Sequence, residues 1–168
     1  MARSIDYRST SQHPADEVYA TMVDPDYLRA RLEHLGGPGA GLQEHTADVH
    51  GARYRLRHGL DAEHLPPIVQ KVLTDDIVIE RSERWTRTGE GRYDGEVTVR
   101  IPGTPASATG WMRLADLNGA DAGTSEFVVH ADVTVRVPLI GGKIEATVAE
   151  QVTRLLASET AFTLDYLR

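Results

Sequence analysis

Between Phe127 and Val137 apolar residues take every second position (Phe127, Val129, Ala131, Val133, Val135 and Val137), while Glu126, His130, Asp132, Thr134 and Arg136 fill most of the others. A period of two with one apolar side predicts a strand whose one face is buried and whose other is wet. Pro138 has no N–H to give a ladder and Gly141-Gly142 free the backbone to turn, so the strand is expected to stop there and a helix to start near Lys143. Nothing from Lys143 to Leu167 breaks that helix. At roughly 1.5 Å per residue it makes a rod of about 37 Å, long enough to cross a small domain and in need of a sheet to lie on.

At the other end, Ile5 and Tyr7 are in phase for a first strand before His13-Pro14. Pro14 suits the first position of a helix, with Asp16 and Glu17 in its first turn and Val18, Tyr19 and Met22 on its apolar side. A second helix follows Asp24-Pro25, carries Leu28, Leu32 and Leu35 at helical spacing, and ends at Gly36-Gly37.

From there to Pro138 the pattern is that of strands. "LQEHTADVHGARYRLRHGL" predicts a hairpin about Gly51, with Tyr54, Leu56, His58 and Leu60 on one face and Arg53, Arg55 and Arg57 on the other. An insert interrupts the strands: Leu65, Ile68, Val69, Val72 and Leu73 around a double proline predict a short amphipathic helix. It is either a lid that moves to admit a ligand or a fixed plug. Strands resume with "DIVIERSERWTRT", "GRYDGEVTVRIP" and "ASATGWMRLADL", joined by turns at Gly89 to Gly91 and at Asn118-Gly119. About seven strands, two short helices before them and one long helix after them describe an α+β layout rather than alternating βαβ units.

Composition narrows the function. A chain of 168 residues with 40% hydrophobic and 26% charged content suits a single domain spanning 1–168. With 18 basic against 25 acidic residues the formal charge is -7, and Lys71 and Lys143 are the only lysines; this opposes binding to nucleic acid or to an acidic membrane surface, both of which need clustered cations. No stretch approaches the ~20 apolar residues of a membrane span, and the opening "MARSIDYRSTSQHPADEVY" has no signal-like apolar run, so a cytoplasmic place is expected. The absence of cysteine removes disulfides, thiol nucleophiles and thiolate metal sites. "GGPGAG" lacks the Lys-Ser/Thr of a phosphate loop, and the sequence has no G-x-S-x-G, H-E-x-x-H or EF-hand pattern. His45 and His50 are spaced for opposite faces of a strand, and His58 and His64 lie in no metal motif, so neither metal nor cofactor is expected.

The order of elements, with "PADEVYATMVDPDYL" early and "VPLIGGKIEATVAEQVTRLL" late, resembles the START-like or SRPBCC superfamily, whose helix-grip fold is also called Bet v 1-like. "RSERW", "GTPASATGWMRL" and "VPLIGGKIE" look like an uncharacterised actinobacterial family within it. The resemblance covers nearly the whole chain. It implies a curved antiparallel sheet wrapped around the final helix and a cavity between them that in many relatives holds a lipid, polyketide or other apolar molecule. It brings no residue roles, because one scaffold carries transporters, cyclases, oxygenase subunits and cochaperones.

The candidate site must then come from side chains. Continuing the phase of Ile77 and Ile79 sends Arg81, Glu83 and Trp85 inward, unless a β-bulge intervenes, and Tyr54 and His58 share the buried side of the preceding strand. On the long helix, with Val148 at zero, Val152 falls at about 40°, Leu155 at about 340°, Phe162 at about 320° and Glu159 at about 20°. A carboxylate in the middle of that apolar stripe needs a cationic partner such as Arg81 or Arg113, a wet cavity, or a ligand to act on. A lone acid would have a raised pKa, a paired one a lowered pKa. The set Tyr54, His58, Arg81, Glu83, Trp85, Leu155, Glu159 and Phe162 is expected to line a site for a hydrophobic or amphipathic small molecule in a carrier or sensor, as monomer or homodimer. Two other classes stay open: a cavity enzyme of cyclase or hydrolase type using Glu159, His58 and Glu83 for proton transfer, and a cochaperone-like protein with a filled core and an exposed apolar patch.

Overall fold

In the computed structural model, which describes residues 2–61, 63, 65–71, 76–117 and 123–167, strand β1 (Ala2–Ser11) leads into helices α1 (Ala15–Met22) and α2 (Pro25–Leu35). A meander follows through β2 (Gly41–Ala47) and β3 (Gly51–Leu60), then the one-turn helix α3 (Pro67–Gln70) and β4 (Ile77–Gly89). It continues through β5 (Arg92–Arg100), β6 (Ala106–Asp116) and β7 (Ser125–Val135) to the long helix α4 (Gly141–Tyr166). The seven strands form one antiparallel sheet in the order β1-β7-β6-β5-β4-β3-β2. Among the described strands, β1–β7 is the pairing that joins strands not consecutive in the chain. α4 lies against β1 and β7 and also meets α2 and α3. This is the α+β helix-grip layout that the sequence pattern predicts.

Local chemistry explains the ends of the helices. Asp24 caps α2 by accepting from the Tyr27 N–H at 3.0 Å, with Pro25 behind it at the first helical position. Pro14 sits one place earlier than expected, as the cap of α1. The freed Ala15 N–H donates at 2.7 Å to Asp116 Oδ1, which reaches across from β6.

The β7–α4 junction differs from the expectation. The ladder ends at Val135, and the glycine pair opens the helix instead of making the turn. The left-handed residue is Leu139, at φ 71, wholly in solvent. Gly141 is needed for space: a Cβ there would stand 2.5 Å from the Val135 carbonyl oxygen. Glu145, one turn into α4 and buried, accepts from the Val135 N–H at 2.8 Å and ties the helix to the end of the strand.

The phase of α4 also departs from the expected one. Its buried positions are Gly141, Ile144, Glu145, Ala149, Leu156, Glu159 and Thr163, with Leu155 only half-buried and Tyr166 49% exposed. The buried stripe is turned by roughly 60° from the expected centre, toward Leu156 and Thr163, and Glu159 stays inside both versions. The cause is that α4 packs against α2 as well as the sheet, so small polar residues share its inner face. On the sheet, Leu60 keeps the expected face opposite Ile77, but at the end of β3 it is 41% exposed.

The expected inward phase of β4 holds because the β3–β4 ladder runs without a break from Leu60↔Ile77 to Gly51↔Thr86. Register shifts fall elsewhere, between Leu42 and Glu44 and between Arg87 and Gly89. Small inward positions do not leave open space. A Cβ on Gly95 would meet Met112 Cε at 2.9 Å and the Trp85 ring at 3.1 Å, so the fully buried indole fills what the glycine vacates. Ala47, the last residue of β2, is exposed. Leu65 and Val69 of the insert are buried, Ile68 is half-buried, and Val72 and Leu73 lie outside the described residues, as do His64 and the expected turn at Asn118-Gly119.

Candidate functional site

Four charged side chains from three elements meet under α4. Arg81, sent inward by the even phase of β4, donates from Nη1 to both oxygens of Glu159 on α4, at 3.0 and 2.9 Å. Its Nε stands 2.6 Å from Glu83 Oε2, two residues along the same strand face, in an ion pair set off the N–H direction of a hydrogen bond. Arg31 of α2 approaches Glu159 from the other side, Nε to Oε2 at 3.7 Å, with its guanidinium 5.7 Å from the centre of the Tyr27 ring. Arg31, Glu83 and Glu159 are buried, and the Arg81 side chain is 11% exposed.

Polar groups behind the charges fix them in place. Trp85 Nε1 donates to Tyr54 Oη at 3.2 Å, and Tyr54 Oη–H donates to Glu83 Oε1 at 2.8 Å. The Tyr27 and Thr163 hydroxyls are hydrogen-bonded to each other, and Thr163 Oγ1 also donates to the Glu159 carbonyl at 2.9 Å. Two cations against two carboxylates leave the group without net charge.

That balance decides how Glu159 and the two arginines titrate. Burial pushes the Glu159 carboxyl up, but Arg31 and then Arg81 outweigh it and hold it down to about 2. Burial works against the charge of each arginine as well, and the carboxylates, Glu159 foremost, leave both guanidinium groups above their ordinary range. His58 is the other buried ring nearby: burial first, and Arg81 next, lower it from 6.5 to about 4, so it is neutral at pH 7. Burial and the neighbouring Glu83 raise the Tyr54 phenol well above its usual value. Glu159 is therefore a paired carboxylate, and of the two expected partners it takes Arg81; Arg113 faces outward and pairs with Asp94 at 3.4 Å.

A cavity of about 40 Å³ opens beside this group. Arg31, Arg81, Glu83 and Glu159 form one part of its wall, and Ser11, Ser125, Thr160 and Thr163 add hydroxyls. Val18, Met22, Leu114, Phe127, Leu156 and Leu164 make the apolar part. The volume suits about three waters, so the apolar body of a larger molecule needs the walls to part. Two of the lining side chains keep buried polar atoms without a hydrogen-bond partner among the described residues: Arg31 at Nε and Nη2, and Glu83 at the Oε2 that is ion-paired with Arg81.

Of the eight residues expected at the site, Arg81, Glu83 and Glu159 line the cavity. Tyr54 and Trp85 stand one layer behind, hydrogen-bonded to it through Glu83, and His58 is buried near the same charges. Leu155 and Phe162 are not in the wall. Leu155 is turned out by the changed helix phase, and Phe162 packs with Tyr27, His34 and Tyr166 at ring distances of 5.9, 5.4 and 6.3 Å. Arg31 was missed. Its signal was present, since it falls four residues after Tyr27 and three after Leu28, inside the apolar stripe of α2. Among the described residues there is no group of three or more metal-ligating side chains, and no helix is long and apolar enough to cross a membrane.

The family described as "Protein of unknown function (DUF2505)" matches residues 6–167. The chain belongs to that family. An uncharacterized protein of Mycobacterium tuberculosis is 25% identical over 168 residues, covering 97% of this chain and 95% of the relative. In three dimensions the chain is similar to a conserved protein from Geobacillus kaustophilus, with TM-score 0.61 and 13% identity over 98% of this chain and 95% of that one. It is also similar to a START superfamily protein from Mycobacterium smegmatis, with TM-score 0.53 and 12% identity over 98% and 99% of the two chains. At these identities the likeness establishes the fold: this DUF2505 chain has the START-like, helix-grip architecture.

Proposed function

We propose that the protein binds a small amphipathic molecule between its sheet and α4, as a carrier or sensor, with the polar part of the molecule against the charged group and its apolar part against Leu156, Phe127 and their neighbours. The supporting observation is the mixed lining of the cavity, in which apolar side chains stand beside Arg31, a buried guanidinium with two nitrogens, Nε and Nη2, that lack a hydrogen-bond partner among the described residues. A buried donor without an acceptor costs free energy that a bound oxygen atom restores. The fold supports the reading too, since helix-grip proteins have their cavity at this place between sheet and helix. A molecule larger than a cavity of about 40 Å³ enters only when its walls part.

Proton-transfer chemistry is less well served. Glu159 and Glu83 are held as ion pairs by Arg81, and His58 is not in the cavity wall. Gentle purification followed by organic extraction and mass spectrometry tests the binding reading: a small amphipathic compound at near-stoichiometric level supports it. A protein that carries nothing, and takes nothing from an extract of its host cells, contradicts it.

A further inference from the structure

The charges around the cavity say what kind of polar group fits. Arg31 and Arg81 are matched by Glu83 and Glu159, so the buried group is already neutral before any ligand enters. A fifth charge, of either sign, would be buried without a counter-ion, which costs more than burying a hydrogen-bonded neutral group. A carboxylate or phosphate would lie next to Glu159, and an ammonium next to Arg31, whose side chain is 4% exposed and lines the cavity. Among the lining residues, Arg31 Nε and Nη2 lack a hydrogen-bond acceptor, and Glu83 Oε2, though ion-paired with Arg81, lacks a hydrogen-bond donor.

We infer that the ligand has an uncharged oxygen head, a carbonyl or a hydroxyl, that accepts from Arg31, joined to an apolar body. This rests on the binding reading given above. A ketone supplies two lone pairs, one for each of the two unpartnered nitrogens of Arg31. A hydroxyl supplies an acceptor for Arg31 and also a proton that Glu83 Oε2, ion-paired but not hydrogen-bonded, can accept. Both leave the charge balance of the four side chains as it is.

The test uses five probes with the same short tail: pentan-2-one, pentan-1-ol, pentanoate, pentylamine and pentane. Each is titrated into the ¹⁵N-labelled protein at pH 7, with the Arg31 Nε–H signal and the backbone amides of Leu156 and Thr163 as readouts. Pentan-2-one and pentan-1-ol are expected to bind about tenfold more tightly than the other three and to move the Arg31 Nε–H signal, because one restored buried hydrogen bond corresponds to about that factor. In Arg31→Met the preference for ketone over pentane is expected to vanish while the tail still binds. Should that variant fail to fold, the wild-type series decides alone. Tightest binding of pentanoate or pentylamine, or equal binding of all five with a still Arg31 signal, overturns the uncharged-head assignment and leaves the cavity reading standing. No binding by any probe overturns both.

Discussion

Arg81 on β4 holds both carboxylate oxygens of Glu159 on α4 from a single nitrogen, at 3.0 and 2.9 Å, and so clamps the long helix onto the middle of the sheet. A folded-state pKa of about 2 is below the unfolded value, so Glu159 contributes stability that is present above about 4.3 and is lost as pH falls toward 2. Glu159→Gln is expected to cost about 3 kcal/mol at neutral pH, the order given both by that shift and by breaking a buried pair. The deficit should shrink as pH falls below about 4. Urea unfolding of both proteins across pH reads this directly, and a deficit that is constant with pH or grows in acid would remove the ion-pair account.

His58 acts in a separate window. Its folded-state pKa of about 4 is below its unfolded 6.5, so between those values the unfolded chain binds more protons and stability falls as pH drops from 6.5 to 4. The loss from this one group is about 3 kcal/mol over that range. The His58 ring carbon–proton signals should therefore stay at their neutral positions through pH 5.5, and His58→Gln should flatten the stability curve between 6.5 and 4. A ring that titrates near 6.5 would place His58 in solvent.

The sequence pattern carried the fold well because strand alternation and long-helix periodicity depend on burial, and burial is what the sheet and α4 share. It placed Arg81, Glu83 and Glu159 on facing surfaces because the β4 phase is unbroken between Ile77 and Thr86. It failed where three elements compete. The inner face of α4 is set partly by α2, which brings Thr163 and Leu156 inward and leaves Leu155 at the margin. Arg31 was hidden for a related reason: a long cationic side chain in an apolar stripe is ordinarily read as reaching to solvent, and here Glu159 opposite and the Tyr27 ring beside it receive it inside. Cavity size was illegible, since nothing local shows that Trp85 fills the space beside Gly95.

For α3, the buried side chains of Leu65 and Val69 are compatible with lid and plug alike; exchange rates separate them. As a lid, the Val69 and Gln70 amides, both bonded to the Pro66 carbonyl, should exchange at least about 100-fold faster than the Glu83 and Trp85 amides of β4, since movable segments come from the less stable part of a fold. They should slow when pentan-2-one saturates the protein. Protection equal to that of β4 in both conditions would make α3 a fixed plug and move the entrance elsewhere.

The central claim, a ligand site between sheet and α4, is tested most directly by locating a bound probe. With Leu, Val and Met methyl groups labelled and the protein saturated with pentan-2-one, intermolecular nuclear Overhauser contacts are expected from the probe to Met22, Leu114 and Leu156, all in the cavity wall. Contacts confined to outward groups such as Val49 and Leu139, which are 82% and 101% exposed, or no contacts at saturation, would contradict the account.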